Sequence, residues 1–164
     1  MAIEGLNTRD GIGLTLFVAP GRQDEAAAFY RAVFGATSPR HWINPRSGAV
    51  TGIDIAIGRA TFTVSGANPK RDADPALPGP CTPDAAGRGS TILQLCVNDV
   101  DATAARAVEA GAILRTEPQD AGWGDRVATI IDPFGHIWAL ATIQQELSTE
   151  EFNARGNIQL VEAA

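Results

Sequence analysis

Cysteine is scarce in this sequence, with two residues in 164. Cys81 lies in a proline-rich stretch and Cys96 inside an apolar run, so we expect no disulfide between them and expect Cys96 to pack as a small hydrophobic residue. No run approaches the roughly 18 apolar residues that a membrane helix needs, and the N-terminal stretch has acids but no long apolar segment. These absences predict a cytoplasmic protein without a signal peptide or a membrane span.

Basic residues are also few. There are 13 Lys and Arg against 19 Asp and Glu, which gives a formal net charge of −6, and the basic residues are scattered along the chain. Nucleic acid is therefore not an expected partner. The hydrophobic share of 45% and the charged share of 20% are ordinary for a globular protein. The composition and length predict one soluble domain with its own core.

Two parts of the chain repeat the same order of elements. Each begins with an apolar run of strand length, continues with an amphipathic helix stopped by glycine, and ends with three strand-like runs. The first set is predicted at 12–18, 24–35, 40–44, 50–57 and 61–64, and the second at 91–97, 99–111, 113–115, 126–131 and 136–142. An Arg-Ala-Val run followed by Gly-Ala closes both helices. We interpret this as an internal duplication within an α+β fold.

The stretch between the repeats differs in composition from both of them. Residues 67–89 are rich in proline, glycine and charged residues, which predicts a linker. The expected organisation is thus module 1 at about 11–66, module 2 at about 90–143, and a linker between them. Ser148 and Glu151 have the spacing of a capping box, which predicts a short helix at about 148–156.

Three stretches carry a family resemblance. NDVDATAARAVEAGA at 98–112 and GWGDRVATIIDPFGHIWALAT at 122–142 resemble the second half of the glyoxalase, bleomycin-resistance and extradiol-dioxygenase superfamily, also called vicinal oxygen chelate, and are most similar to its PhnB-like branch. AFYRAVFGA at 28–36 resembles the opening helix of the same family. The resemblance implies two βαβββ modules that form a curved, partly open mixed sheet, or half-barrel, around a cavity. It also implies a homodimer.

In the metal-dependent members of that family, ligands in the first and last strands of each module hold a divalent ion. The resemblance places three of these positions on Gly13, Ile92 and Ala139, and the remaining strand, at 60–65, contains no Asp, Glu or His. Such side chains offer no donor to a hard divalent ion. We therefore expect no metal cofactor. Gln94, two residues beyond Ile92 on the same strand face, is interpreted as a polar cavity residue rather than a metal ligand.

The candidate ligand-binding residues come from both modules. Trp42 and Trp123 could stack on a planar ligand, and Arg126 could clamp an anionic or carbonyl oxygen at the cavity mouth. Asp125 is either a base or, together with Arg126, part of the interactions that hold the preceding loop. His41 lines the cavity wall or is solvated, and His136 is expected at the rim. The predicted site comprises Gln94, Trp42, Trp123, Arg126, His41 and Asp125.

The leading functional prediction is a protein that binds a small organic molecule in the cavity between its modules without the usual metal site. Sequestration and metal-free catalysis both fit this prediction. The alternative is a metal-dependent, glyoxalase-like lyase or a dioxygenase that uses displaced ligands such as Gln94, His41 and either Asp72 or Asp74. A third hypothesis is an interaction module that dimerises through its strands. All three hypotheses assume an α+β fold, and none of them identifies a catalytic residue.

Overall fold

The structure is a computed structural model that describes residues 12–68, 70, 74, 76, 80–83, 89–155 and 158–161. The chain divides into two compact units. The first unit covers the chain up to Gly89 together with Pro133–His136, and the second covers Ser90–Asp132 together with the chain from Ile137 onward. Within each unit, a helix packs against one face of a four-stranded mixed sheet.

The first unit contains one strand, one helix and three further strands. They are β1 (Thr15–Val18), α1 (Gln23–Phe34), β2 (Thr37–Ile43), β3 (Val50–Ile57) and β4 (Ala60–Gly66). The strand order across the sheet is β1-β4-β3-β2, with β1 parallel to β4 and the other neighbours antiparallel. This is the predicted βαβββ plan.

The second unit repeats that plan and adds a short C-terminal helix. Its elements are β5 (Ile92–Cys96), α2 (Val100–Glu109), β6 (Ile113–Asp120), β7 (Asp125–Ile131), β8 (Ile137–Ile143) and α3 (Thr149–Arg155). The strand order is β5-β8-β7-β6, with β5 parallel to β8. The α+β class and the repeated plan are confirmed, and in the described part of the chain neither sheet closes into a barrel.

Two edge strands extend further than their sequence patterns predicted. β2 begins at Thr37 rather than near residue 40, and β6 continues to Asp120 rather than ending near residue 115. Each contains a proline, Pro39 or Pro118, beside a shift in the pairing register. An edge strand tolerates proline because its outer N–H groups have no ladder partner to lose. Because of these prolines, the sequence pattern predicted both strands to be shorter than they are.

The predicted helix ends are confirmed by their hydrogen bonds and backbone angles. Gly35 ends α1 in the left-handed conformation at φ 67°, and Asp99 Oδ1 accepts a hydrogen bond from the backbone N–H of Ala102 at 2.9 Å. At the start of α3, Ser148 Oγ accepts from Glu151 N at 3.2 Å and Glu151 Oε2 accepts from Ser148 N at 2.8 Å. This backbone N–H lowers the pKa of Glu151.

Each unit has its own core between the sheet and its helix. In the first, Tyr30 of α1 is fully buried and meets Phe62 of β4 edge to face at 5.7 Å. In the second, Leu140 packs on the α2 side, and Trp138 is 3% exposed and donates its indole N–H to buried Asp132 at 3.0 Å.

Two predictions for single residues were wrong. Cys96 is exposed rather than packed, because it ends edge strand β5 and points to the sheet face opposite α2. His136 is buried rather than at a rim, in the turn that belongs to the first unit. Both cysteines are free thiols. Among the described residues, no helix has the length and apolar character needed to cross a bilayer.

Candidate functional site

The sheet face opposite the helix, which we call the distal face, carries most of the predicted site residues. In the first unit, Phe62 contacts α1 and pairs with Ile55, so their strand neighbours Thr63 and Asp54 point to the distal face. The strand register then defines two rows across this face. One row is Arg40, Asp54, Thr63 and Thr15, and the next is Trp42, Gly52, Ser65 and Phe17.

A buried carboxylate organises the distal face of the first sheet. Asp54 is only 2% exposed. Its Oδ2 accepts from Arg40 Nε at 2.9 Å, and its Oδ1 accepts from Trp42 Nε1 and from Thr63 Oγ1, both at 2.9 Å. A buried charge is tolerated when it is paired and hydrogen-bonded in this way. Sequence reasoning missed Asp54, although a single acid within the apolar run of β3 was the available signal.

The ring of Trp42 lies above a glycine on the same face. A Cβ added to Gly52 would stand 3.4 Å from Trp42 Cδ1, 3.3 Å from Thr63 Cγ2 and 3.3 Å from the carbonyl oxygen of Val64. Trp42 remains 39% exposed although its indole N–H is bonded to Asp54. The structure therefore holds an accessible aromatic surface in one orientation.

His41 does not join Trp42 on that face. His41 pairs with Ile53, which is fully buried on the α1 side, whereas Trp42 pairs with Gly52. Adjacent strand residues point to opposite faces of a sheet. The predicted site residue His41 is thus an exposed residue on the helix-side face of an edge strand.

The distal face of the second sheet contains Ile92 and Ala139, two of the positions at which the family resemblance places metal ligands. Trp138 and Leu140 face α2, so Ile137, Ala139, Ala141 and Ile143 of β8 face the other way. Gln94 of β5 lies opposite Ala139, and Ile92 lies opposite Ile137. Gln94 is therefore on the face predicted for it.

The side chains at these positions do not fit a divalent ion. Ala139 and Ile92 carry no donor atom, and a single amide oxygen is a poor ligand for a hard cation. Among the described residues, no group of three or more His, Cys, Asp and Glu side chains could hold a metal. Asp74, one of the displaced ligands considered above, is exposed, and Asp72 lies outside the described residues.

The turn between β6 and β7 is held by its own side chains and by the chain that follows β8. Trp123 is 47% exposed and donates its indole N–H to Asp125 Oδ2 at 3.0 Å. The carbonyl oxygen of Gly124 accepts from the backbone N–H groups of Gln144 and Gln145 at 3.1 and 2.9 Å. These contacts support the interpretation in which Asp125 holds the loop.

Arg126 lies on the α2 side of the second sheet. It pairs with Thr142, whose hydroxyl accepts from the backbone N–H of Val100 at the start of α2. Its guanidinium donates to both oxygens of Asp101, through Nε at 2.5 Å and Nη2 at 2.8 Å, and through Nη1 to Asp120 at 2.9 Å. Arg126 is thus on the opposite face from Gln94, and its contacts agree with a bracing role.

The ion pair around Arg126 should make stability depend on pH. The guanidinium lowers the pKa of Asp101 from 3.8, chiefly through its hydrogen bonds, and the two carboxylates raise the pKa of Arg126. A carboxylate with a lowered pKa in the folded state adds stability above its unfolded pKa, and this contribution is lost as the pH falls through the lower folded value.

We therefore expect Arg126→Lys to melt at a lower temperature than the wild type at pH 7, because an ammonium cannot form the two-pronged contact with Asp101. The difference should shrink as the pH falls from about 4 toward 2. Thermal melts followed by circular dichroism at several pH values measure it, with Arg59→Lys in the exposed β3–β4 hairpin as the matched control. A difference that stays constant at all pH values would contradict the role assigned to the pair.

Comparison with known proteins agrees with this architecture. The sequence model of the Glyoxalase/Bleomycin resistance protein/Dioxygenase superfamily matches residues 12–140. The chain therefore belongs to this superfamily. It is 35% identical over 112 residues to the uncharacterized protein Mb0911c of Mycobacterium bovis, a match that covers 65% of this chain and 72% of that protein.

Solved structures of other proteins share the fold. The X-ray structure of the Arabidopsis thaliana At5g48480 gene product is 28% identical, with a TM-score of 0.60, and the match covers 80% of this chain and 97% of that one. TnmS3, an antibiotic binding protein from Streptomyces sp. CB03234, is 23% identical with a TM-score of 0.51, and the match covers 81% and 96% of the two chains. At that identity, the likeness to TnmS3 concerns the fold alone.

Proposed function

We propose that this member of the superfamily binds a small planar organic molecule and does so without a divalent metal. The observation that carries the proposal is the Trp42 ring, which is exposed on the distal face of the first sheet and fixed by buried Asp54. TnmS3, an antibiotic binding protein, has a similar fold. This likeness of fold supports the proposal.

A fixed tryptophan favours binding for two physical reasons. Its large ring buries apolar area and stacks on another ring with an offset or edge-to-face geometry. Because the hydrogen bond to Asp54 already restricts the ring, a ligand has less side-chain freedom to remove when it binds. Gly52 contributes by leaving the space beneath the ring free of a side chain.

Metal independence is supported by the residues on the distal face of the second sheet. Ile92 and Ala139 stand where the metal-dependent members carry ligands, and neither can coordinate an ion. We propose binding rather than a reaction for the first sheet, because both oxygens of Asp54 are occupied by donors of its own chain. A general base must instead reach a proton of the substrate.

The proposal predicts which tryptophan responds to a ligand. The chain has three tryptophans, so a ¹H–¹⁵N spectrum should contain three indole N–H signals, assignable by single Trp→Phe variants. As a probe we choose 1-tetralone, an uncharged bicyclic ketone. Titration should shift the Trp42 signal and leave that of buried Trp138 in place. Trp42→Ala should weaken binding by about tenfold, the effect of losing roughly 1.4 kcal/mol of ring contact.

The matched control for Trp42→Ala is Ile43→Ala at the next position of the same strand, where the side chain is 57% exposed. This variant should bind 1-tetralone as the wild type does. Equal affinities of Trp42→Ala and Ile43→Ala, or a wild type whose Trp42 signal does not respond, would refute the role of Trp42.

Three narrower predictions accompany this function. Placement in the PhnB-like branch of the superfamily rests on the motifs at 98–112 and 122–142. A homodimer and a cytoplasmic location likewise stay predictions from the sequence. Size-exclusion chromatography with light scattering measures the oligomeric state directly.

A further inference from the structure

The chain that follows β8 lies against the turn between β6 and β7. We call its described residues, 144–155 and 158–161, the C-terminal strap. Its first two backbone N–H groups donate to the carbonyl oxygen of Gly124 at 3.1 and 2.9 Å. A Cβ built on Gly124 would stand 2.8 Å from the carbonyl oxygen of Gln145 and 3.5 Å from Leu147 Cγ. The start of the strap is therefore packed directly on the backbone of this glycine.

The end of α3 returns to the same turn. A Cβ built on Gly122 would stand 4.0 Å from the carbonyl oxygen of Arg155, the last residue of this helix. Gly122 and Gly124 are the two neighbours of Trp123 along the chain. The strap thus approaches the turn on both sides of Trp123, at two positions where no side chain of the turn stands in its way.

Side chains within the strap join α3 to the chain on either side of it. Arg155 Nη1 donates to Gln145 Oε1 at 2.9 Å, which connects the end of the helix to the chain before it. The Asn153 side chain donates to the carbonyl oxygen of Leu160 at 3.1 Å and accepts from the N–H of the same residue at 2.7 Å. Both connections depend on the folded helix, because unfolding of α3 would remove the fixed positions of Asn153 and Arg155.

The strap has little stability of its own. α3 contains seven residues, and none of them is buried. Isolated helices shorter than roughly 12 residues are marginal in water, because starting a helix costs more than a few hydrogen bonds return. The capping box of Ser148 and Glu151 offsets only part of this cost. The helix therefore persists only while the strap is docked, so that undocking of the strap and unfolding of α3 are one event.

Release of the strap would also change the turn. The carbonyl group of Gly124 and the N–H of Asp125 belong to one rigid peptide plane, and the strap supplies two donors to that carbonyl. Gly124 has φ 94° and no side chain, so the plane can rotate widely once these donors leave. Because Gly124 lies between Trp123 and Asp125, their hydrogen bond, 3.0 Å from indole Nε1 to Oδ2, depends on the orientation of this plane.

We propose that the C-terminal strap is a two-state switch that sets the position of Trp123 and Asp125. In the docked state α3 is folded and the two side chains are bonded to each other. In the released state α3 is unfolded and they separate, which leaves the indole N–H and the carboxylate free to bond elsewhere. Asp125 lies opposite Ile143 on the distal face of the second sheet, so the strap controls the groups presented at that end of the face. The switch lies within the second unit and does not depend on the binding proposed at Trp42.

Ala154→Gly in the full-length chain tests whether folding of α3 and docking are coupled. Ala154 is an exposed residue of α3, where glycine should raise the fraction of the released state about fivefold. We expect the amides of Asn153 and Arg155 to exchange with water about fivefold faster. The amides of Gln144 and Gln145 should accelerate by the same factor, although they precede the helix. Magnetisation transfer from water in ¹H–¹⁵N spectra measures these rates.

Ala28→Gly is the matched control, because it makes the same substitution at an exposed position of α1. It should leave the exchange of the Gln144 and Gln145 amides at the wild-type rate.

A second variant, Ala154→Pro, should release the strap almost completely, because proline removes a helix N–H and clashes with the preceding turn of the helix. The indole N–H signal of Trp123 should then move upfield, since this group loses its carboxylate acceptor. The signal of buried Trp138, bonded to Asp132, should stay in place.

Three results would overturn the switch. Faster exchange confined to α3 in Ala154→Gly would mean that the helix frays without undocking. Equal acceleration of the Gln144 and Gln145 amides by Ala28→Gly would mean that they exchange through global unfolding. An unmoved Trp123 signal in Ala154→Pro would mean that the strap does not hold the bond between Trp123 and Asp125.

Discussion

Replacing Asp54 by alanine is expected to lower the free energy of unfolding by about 3 kcal/mol, because the change removes a buried carboxylate and leaves the Trp42 indole N–H and the Thr63 hydroxyl without this acceptor. The carboxylate is 2% exposed and accepts from Arg40, Trp42 and Thr63. Urea denaturation followed by circular dichroism measures the change. The Trp42 ring should also lose its fixed orientation, so the indole N–H signal of Trp42 should move in the variant without any ligand.

Asp120→Ala is the matched control. Asp120 also accepts from an arginine, Arg126, but its side chain is 69% exposed. A solvent-exposed pair contributes little because water and salt screen it. Asp120→Ala should therefore change stability far less than Asp54→Ala. Equal and small effects of the two substitutions would mean that Asp54 does not organise the distal face of the first sheet.

Replacing Gly124 by alanine is the second substitution with a large expected effect. Gly124 has φ 94°, where a side chain is strained, and a Cβ there would stand 2.8 Å from the backbone carbonyl oxygen of Gln145. The strain and the clash together should cost about 3 kcal/mol. Because Gly124 also accepts from the backbone of Gln144 and Gln145, the variant should loosen the chain after β8. Urea denaturation and amide hydrogen exchange at these residues measure both effects.

Gly21→Ala separates the two contributions. Gly21 has φ 85°, but nothing lies within 4 Å of a Cβ built there. The free energy of unfolding of Gly21→Ala should fall only by the backbone strain, about 1 kcal/mol. If Gly124→Ala is no more destabilising than Gly21→Ala, the nearby backbone of Gln145 does not restrict which residue can occupy position 124.

The order of elements could be predicted from the sequence because local signals determine it. Apolar runs, the glycine after α1, Asp99 and the Ser148–Glu151 pair each specify a strand or a helix end within a few residues. The lengths of β2 and β6 could not be predicted in the same way. Pro39 and Pro118 interrupt the local pattern, and only the pairing with β3 and β7 makes these strands continue.

The candidate site was predicted less completely because its geometry depends on pairing between distant residues. Gln94, Ala139 and Thr129 form one row only through the register of β5, β8 and β7. The sheet face on which Arg126 lies follows from its pairing with Thr142. The sequence alone did not specify this pairing. Asp54 was missed for a related reason: its partners Arg40 and Trp42 come from β2, a strand whose register with β3 contains shifts.

Binding without a metal is tested by a ¹H–¹⁵N titration of the wild-type protein with 1-tetralone, carried out first with a chelator and then with added Zn²⁺, Ni²⁺, Mn²⁺ or Fe²⁺. We predict that the Trp42 indole signal shifts in every case, with dissociation constants that agree to within about twofold. A shift that requires one of these ions, and that disappears again when the chelator is restored, would contradict binding without a metal.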